Sequence, residues 1–236
     1  MPVPSREEKK EFVQEKFSSV TDRYDFLNSL LSMGIDRLWR YKTVKTLTGL
    51  NGPILDVCAG TLPLSREIHR QTRAKVVALD FCFDMLAFGL KNLDPVEAKQ
   101  IHPVCGDGER LPLPSNTFAG FAVAFGIRNL ADLAIGFSEM HRVLLPGGKG
   151  AIVEFSRPSI PVFKYLYRFY LHKILPIIGG MISGDTEAYV YLAESIQGFY
   201  SQEQVCDLLE RCGFIEVDYK PMTLGIVTLY TCKKPG

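Results

Sequence analysis

Strand-like and helix-like patterns alternate along this chain from about residue 53 onward, and that alternation limits the fold more than any other feature. Apolar runs are followed by segments whose apolar side chains recur at helical spacing. This order is typical of an α/β protein, in which helices connect neighbouring strands of a mostly parallel sheet. The candidate strands are Pro53–Val57, Lys75–Asp80, Ile101–Cys105, Phe118–Phe125, Lys149–Phe155, Phe214–Lys220 and Thr223–Cys232, and the helical patterns lie at Leu64–Gln71, Asp84–Lys91, Asp132–Leu144 and Ser201–Cys212.

The end of the chain predicts a different connection between strands. The last two candidate strands are separated only by Pro221 and Met222. A parallel crossover needs about a dozen residues, so these two strands should form an antiparallel hairpin. We therefore expect a mostly parallel, Rossmann-like sheet that ends in such a hairpin.

The length of the chain suits one domain with a large core, and we interpret residues 1–236 as a single domain. Asp22 and Asp36 are candidate helix N-caps near its start, where apolar positions recur at helical spacing. The expected parts are an N-terminal helical cap (1–50), a cofactor-binding core (51–155), a helical insertion on the substrate side (156–200), and the last helix with the hairpin (201–236).

Composition argues against several classes of protein. The 27 Lys and Arg residues nearly balance the 26 Asp and Glu residues, so the overall charge gives no reason to expect nucleic acid as a partner. The six cysteines are scattered without metal-ligand spacing, which favours reduced thiols, no bound metal and a cytoplasmic location. The charged first residues lack the apolar core of a secretory signal. The apolar stretch Ile160–Ile182 is interrupted by charges, so it is not expected to cross a bilayer.

A turn of small residues follows the first candidate strand, and acidic residues mark the ends of that strand and the next. Asp56 lies near the end of the first strand, before Gly60 and Thr61, and Asp80 ends the second. In a doubly wound sheet these ends meet at the edge where ligands bind. Glycine lets the backbone approach a ligand closely, and Asp80 is placed to accept hydrogen bonds from ribose hydroxyls.

The choice of cofactor depends on a third acidic turn. Asp56 and Asp80 alone fit either a nicotinamide cofactor or S-adenosylmethionine. The turn at Asp107 and Gly108, after the third candidate strand, suits an adenine amino group. Three acids in one cleft also favour a cationic sulfonium over an anionic pyrophosphate. The alternative for each acid is that it only caps the following helix.

Several longer blocks resemble one family of enzymes. The blocks are Tyr24–Asn28, Ser32–Arg40, Asp56–Thr61, Phe125–Asn129, Arg142–Gly148, Glu154–Pro158 and Tyr191–Ile196. They resemble the menaquinone/ubiquinone biosynthesis C-methyltransferases, which are class I S-adenosylmethionine-dependent methyltransferases, and the match runs from about residue 12 to residue 232. The resemblance implies a seven-stranded sheet, S-adenosylmethionine as cofactor beside Phe81, Met85 and Ala124, and a lipophilic prenylated quinol as methyl acceptor.

Three departures from the family pattern affect the expected site. Where the family usually continues Gly-Thr-Gly-Asp, this chain has Leu62 and Pro63 after Gly60-Thr61. Leucine lacks the backbone freedom of glycine, so we expect the turn at the methionine end of the cofactor to be reshaped. Pro63 suits the first turn of a helix, where its missing N–H matters little. Asp36 replaces a common His, and Ala124 replaces a common Ser.

The resemblance also implies catalytic roles for four residues. Arg128 is expected to stabilise the phenolate form of the quinol, or to orient a water that takes its proton, because a guanidinium stays protonated. Asn129 is expected to bond the second quinol oxygen, and Tyr24 and Asp25 to close the site and exclude water. The alternatives are an ion pair between Arg128 and a surface acid, and core packing for Tyr24.

The composition of the insertion fits more than one role. Ile160–Ile182 is rich in aromatic and apolar residues, which suits a polyprenyl tail, and Lys164, Arg168 and Lys173 suit an anionic membrane surface at the inner face of the membrane. An ordinary buried helix or a homodimer contact would explain the same pattern. Two alternatives to a quinol methyltransferase are an enzyme for another lipid or small aromatic, and a methyltransferase-like subunit without catalysis.

Overall fold

A computed structural model describes Ser32 and residues 34–158, 160–183 and 186–236 of the chain. The candidate helix cap Asp22 lies outside these residues. So do Tyr24 and Asp25, which were expected to close the substrate site, and most of the predicted N-terminal helical cap.

Helices and strands alternate as the sequence predicts. The helices are α1 (Ile35–Lys45), α2 (Pro63–Thr72), α3 (Phe83–Lys91), α4 (Leu133–Val143), α5 (Pro161–Phe169), α6 (Leu175–Ser183), α7 (Thr186–Gly198) and α8 (Gln202–Arg211). The strands are β1 (Ile54–Val57), β2 (Val76–Asp80), β3 (Ile101–Cys105), β4 (Phe118–Ala124), β5 (Leu144–Phe155), β6 (Ile215–Met222) and β7 (Val227–Lys233). A π-helical turn (Tyr170–Ile174) joins α5 to α6, and 3₁₀ turns lie at Glu97–Lys99, Ile127–Asn129 and Thr223–Gly225.

The described strands form a seven-stranded sheet in the order β3-β2-β1-β4-β5-β7-β6. Strand β1 pairs in parallel with both β2 and β4, and β7 pairs antiparallel with β5 and β6. The predicted α/β fold with an antiparallel C-terminal hairpin is confirmed. The strand order reverses between β1 and β4, and in such sheets the carboxyl ends of the strands at this point form a ligand-binding crevice.

The hairpin turn lies further along the chain than the sequence suggested. Pro221 and Met222 belong to β6 and pair with Thr228 and Val227 of β7. The turn itself is Thr223–Gly225, whose three residues all have positive φ. The predicted turn at Pro221-Met222 was wrong because proline is also tolerated in an edge strand, where the missing N–H can point away from the sheet.

Strand β5 also begins earlier than predicted. Leu144 pairs with Phe118 before the register shifts, so the strand starts there and not at Lys149. The Pro146–Gly148 segment, which precedes the predicted strand, lies within β5. Gly147 has a positive φ of 76°, which bends this first part of the strand away from regular geometry.

Polar side chains define several helix ends. Asp132 caps α4 by accepting backbone N–H groups, and Ser201 caps α8 in a capping box with Gln204. Asp36 was predicted to cap the first helix, and this was wrong. It lies inside the first turn of α1, one turn before Arg40, and the two side chains form an ion pair instead.

Helices cover both faces of the sheet. Apolar residues of α1, α2 and α3 pack on one face, and those of α4 and α8 pack on the other. Helices α5, α6 and α7 and the π-helical turn share a smaller cluster around Tyr167, Leu171 and Tyr189. Among the described residues, no helix has both the length and the apolar character needed to cross a membrane.

Both edge strands contain a proline. Pro103 lies in the middle of β3, which is the first strand of the sheet, and Pro221 lies in β6, which is the last. Neither residue can donate a backbone hydrogen bond.

Candidate active site

A cleft opens at the carboxyl ends of the central parallel strands, as the strand order predicts. Eight of the residues expected at the cofactor line it: Gly60, Thr61, Asp80, Phe81, Met85, Asp107, Gly108 and Ala124. Asn129, one of the predicted catalytic residues, also lines the cleft. Arg40 of α1 and Glu109 line it as well, and the sequence did not single them out.

Asp80 holds the turn after β1 against the end of β2. Its Oδ2 accepts a hydrogen bond from the Gly60 N–H at 2.7 Å, and its Oδ1 accepts one from the Cys82 N–H at 2.8 Å. Burial raises the pKa of this carboxyl, and the backbone hydrogen bonds oppose that rise. Each carboxylate oxygen has a second lone pair, so Asp80 can still accept a hydrogen bond from a ligand hydroxyl.

Asp56 lies beneath the cleft and not on its lining. The residue is fully buried, and its Oδ2 accepts a hydrogen bond from Ser65 Oγ of α2 at 2.6 Å. Within the described part of the chain, its Oδ1 has no hydrogen-bond partner. Burial, aided by the nearby charge of Asp80, raises the pKa of Asp56 to about 7, although the Ser65 hydrogen bond lowers it. The structure therefore places Asp56 behind the lining of the cleft, against Ser65 of α2.

The raised pKa of Asp56 predicts a pH-dependent stability. The folded chain binds more protons at this site than the unfolded chain between the usual Asp pKa of 3.8 and about 7, so stability falls as pH rises through this window. From pH 6 to pH 8, Asp56 should remove about 1.4 kcal/mol from the free energy of unfolding, which corresponds to one pKa unit. We expect the Asp56→Asn variant to lack this loss in urea titrations at the two pH values. An unchanged pH dependence in the variant would contradict the assignment.

Leu62, which stands where the family usually has glycine, adopts a backbone conformation that favours glycine. Leu62 adopts a left-handed conformation (φ 72°, ψ 19°) and precedes α2, which begins at Pro63. Such a conformation costs a leucine roughly 1–2 kcal/mol. The Leu62 side chain is fully buried, and burying a leucine contributes about 1.5–3 kcal/mol, which offsets the strain. Pro63 occupies the first helical position, as expected from its missing N–H.

The loop after β3 is tied to the segment that follows the 3₁₀ turn Ile127–Asn129. Asp107 Oδ1 accepts the Glu109 N–H at 2.8 Å, which tightens the loop. The Glu109 carboxylate in turn accepts the backbone N–H groups of Ala131 and Asp132. Because Glu109 is nearly buried yet lines the cleft, it fixes one wall of the cleft and adds a third acid to it.

Arg128 forms a buried ion pair away from the cleft lining. Its Nη1 lies 2.8 Å from Oε1 of Glu154, and the two side chains are 4% and 0% exposed. The Arg128 backbone N–H donates to Glu154 Oε2 at 3.2 Å, and the guanidinium stacks over the Phe155 ring at 5.5 Å. The sequence led us to expect this guanidinium beside the quinol phenolate, or paired with a surface acid. The structure pairs it with a fully buried acid on β5.

Asn129 links the cleft to the helical insertion. Tyr191 of α7 donates a hydrogen bond from its hydroxyl to Asn129 Oδ1 at 3.3 Å. Burial raises the pKa of Tyr191, so the hydroxyl keeps its proton and remains a donor. A groove beside this contact is lined by Arg128, Leu130, Tyr191 and Phe199 among others, and Leu130 also lines the cleft. The insertion therefore meets the cleft at its predicted catalytic segment.

Comparison with known proteins now decides the family. The model of the ubiE/COQ5 methyltransferase family matches residues 4–234. The chain belongs to the ubiE/COQ5 methyltransferase family. The methyltransferase is 43% identical over 231 residues to the ubiquinone/menaquinone biosynthesis C-methyltransferase UbiE of Geobacter sulfurreducens, with 96% of this chain and 90% of that protein covered. It is 40% identical over 230 residues to the demethylmenaquinone methyltransferase of Corynebacterium kroppenstedtii, with 97% of each chain covered.

Solved structures of other methyltransferases share the fold of this family member. One is an S-adenosylmethionine-dependent methyltransferase from Thermotoga maritima, described as a possible histamine N-methyltransferase, with a TM-score of 0.64 and 17% identity. The alignment covers 93% of this chain and 98% of that one. This likeness confirms the expected class I methyltransferase fold, and membership of the family confirms the expected dependence on S-adenosylmethionine.

The lining of the cleft suits the charge of S-adenosylmethionine. Asp80, Asp107 and Glu109 line it, and acids suit a ligand that carries a sulfonium and an ammonium. A Cβ added at Gly60 would lie 3.3 Å from Met85 Cε, so a side chain there would narrow the cleft. Gly60 has a positive φ of 55°, a conformation in which glycine is unstrained.

Proposed function

We propose that this methyltransferase transfers the methyl group of S-adenosylmethionine to a ring carbon of a prenylated quinol, such as demethylmenaquinol or the equivalent ubiquinol precursor. The observation that carries the proposal is the match to relatives named as quinone-biosynthesis C-methyltransferase and demethylmenaquinone methyltransferase. The match extends over nearly the whole chain, insertion included. The contact of Tyr191 with Asn129 supports it, because it joins the insertion to the cleft where a large acceptor would have to reach.

Each cofactor-binding residue of the cleft has its own proposed role. Asp80 accepts hydrogen bonds from the ribose hydroxyls, and Asp107 and Gly108 face the adenine. Gly60 and Thr61 lie along the methionine part, and the side chains or backbone of Phe81, Met85 and Ala124 form the walls. All eight line one cleft, which supports a common ligand. Asp56 acts indirectly, by holding the turn after β1 through Ser65.

Catalysis on a quinol needs placement of the ring and a stabilised phenolate. S-adenosylmethionine supplies an electrophilic methyl group when bound. Asn129, oriented by Tyr191, donates its amide to a quinol oxygen at the cleft. Arg128 acts as a positioning residue, because its ion pair with Glu154 fixes the 3₁₀ turn that carries Asn129. Tyr24 and Asp25 stay predicted as residues that close the site.

A label-transfer assay tests the proposed substrate. The purified full chain is given demethylmenaquinol in detergent under reducing conditions, with methyl-labelled S-adenosylmethionine, and a benzoquinol precursor is run in parallel. We expect label in the extracted quinol for at least one of the two. Cofactor binding by calorimetry without any label in either lipid would reject the quinol assignment. Absence of cofactor binding would reject the catalytic assignment itself.

We also propose that the outer face of α5 and α6 rests on an anionic membrane surface. Val162, Tyr165, Leu166, Phe169, Ile177 and Met181 are 59–83% exposed there. Lys164, Arg168 and Lys173 are exposed between them. Apolar side chains flanked by cations suit the interface of anionic lipids, and a lipid-borne quinol would be delivered at this face.

Vesicle sedimentation tests this contact. We expect the full chain to sediment with phosphatidylglycerol-containing vesicles and to stay in solution with purely zwitterionic ones. Leu166→Glu should abolish sedimentation, whereas Ile215→Glu, at an exposed apolar residue on the edge strand β6, should not. If Leu166→Glu instead abolishes a dimer seen by light scattering and leaves vesicle binding intact, the face is a contact between two copies of the chain.

A further inference from the structure

Arg40 of α1 is the one cationic side chain on the lining of the cleft, among the residues that the structure describes. The other charged residues of the lining are Asp80, Asp107 and Glu109. The side chain of Arg40 is 8% exposed, so a ligand that meets it does so largely out of water. The one cation on an otherwise acidic lining is the natural partner for the one anionic group of the ligand, its carboxylate.

The hydrogen-bond capacity of Arg40 is only partly used. Nη1 is paired with Asp36, and the guanidinium stacks over the Phe125 ring at 5.6 Å. Its Nε is buried and has no hydrogen-bond partner among the described residues. A buried donor without an acceptor destabilises the fold. A ligand oxygen that accepts a hydrogen bond from this Nε would remove that cost, which adds to the free energy of binding.

Arg40 borders the part of the cleft next to α2, where the proposed cofactor placement puts the methionine part. Together with Pro63 it borders both the cleft and the adjoining groove over α2. Its charge lowers the pKa of Asp56, which lies beneath the β1 turn. The turn Gly60–Leu62 leads into the N-terminus of α2, and helix N-termini favour anions.

We propose that Arg40 binds the carboxylate of S-adenosylmethionine, with Asp36 holding the guanidinium in place. The inference rests on the proposed cofactor placement and names the group that recognises the anionic end of the ligand. Asp36 neutralises Arg40 before the ligand arrives, and the ligand ammonium balances the added carboxylate. The ion pair with Asp36 therefore holds the Arg40 guanidinium in position before the ligand carboxylate binds.

Binding of two matched ligands tests the proposal. Calorimetry without a methyl acceptor compares S-adenosylmethionine with decarboxylated S-adenosylmethionine, which differs only in the missing carboxylate. Arg40→Gln should weaken binding of the first about 10- to 100-fold, as expected for a charged hydrogen bond. Binding of the second should change by no more than about twofold. Arg37→Gln, an exposed arginine on the same helix that does not line the cleft, should change neither.

Each outcome bears on the proposal in a distinct way. Equal weakening of both ligands would assign Arg40 a structural role only, and no weakening of either would remove it from the site. If Arg40→Gln fails to fold, Arg40→Lys keeps the charge but not the Nε donor, and it should still reduce the preference for the carboxylate-bearing ligand. Because no quinol is present, failure of the label-transfer assay leaves this result intact.

Discussion

Replacing Glu154 by glutamine is expected to lower the free energy of unfolding by about 3–5 kcal/mol, since it leaves the Arg128 charge buried without its partner. Glutamine has nearly the same shape, so the loss reports charge and not packing. The measurement is urea unfolding followed by circular dichroism. We expect a lower midpoint with an unchanged slope.

The same variant should separate turnover from cofactor binding. Arg128 immediately precedes Asn129, and a displacement of about 1 Å in a reacting group can reduce turnover about 100-fold. Affinity for S-adenosylmethionine should stay within a few fold, because neither Glu154 nor Arg128 lines the cofactor cleft. Arg128→Ala should likewise reduce turnover and leave the affinity for S-adenosylmethionine within a few fold. Normal turnover in either variant would remove the pair from the mechanism.

Two controls accompany this prediction. The double variant Arg128→Met with Glu154→Leu should be more stable than either single variant, because no buried charge is left uncompensated. Removing an exposed ion pair, by Arg70→Ala opposite Glu67, should leave the midpoint unchanged within error. A double variant no more stable than the singles would show that packing, and not charge, sets the loss.

Replacing Gly89 by alanine is expected to weaken S-adenosylmethionine binding at least about tenfold and to destabilise the fold by about 1–3 kcal/mol. Gly89 lies in α3, where it packs against the turn after β1. A Cβ there would lie 2.6 Å from the carbonyl oxygen of Thr61 and 2.7 Å from Leu62 Cγ. Alanine gains about 1 kcal/mol in helix propensity. The clash outweighs this gain because a backbone carbonyl cannot rotate away.

Gly198→Ala is the matched control for this substitution. Gly198 ends α7, and an added Cβ would meet no atom within 4 Å. The control should therefore be as stable as the parent chain or slightly more so, with unchanged cofactor affinity. Calorimetry and thermal unfolding check both variants. A Gly89→Ala variant that binds like the parent would mean that the turn tolerates displacement.

The strands, the turn after β1 and two helix caps could be predicted from the sequence, because each is determined by a local pattern of residues. Asp56 and Asp80 lie at or near the ends of short continuous apolar runs, and the turn after β1 is marked by Gly60. The helix caps Asp132 and Ser201 follow from short-range hydrogen bonding, so they too can be read locally. These features place the cleft before any coordinates are known.

The partners of the arginines could not be predicted in this way. Glu154 lies 26 residues from Arg128 and meets it only because β4 and β5 are neighbours in the sheet. Arg40 reaches the cleft because α1 packs beside α2, a contact that local periodicity does not encode. Asp36 has two plausible local roles, capping and ion pairing, and the presence of Arg40 one turn later decides between them.

The prolines of the two outer strands have a consequence for the behaviour of the protein in solution. A sheet grows when the free backbone of an outer strand hydrogen-bonds to a strand of another molecule. Pro103 and Pro221 each remove one donor from such a ladder, at opposite ends of the sheet. The chain thereby opposes fibre-like self-association at both ends, which matters most when many copies are crowded together.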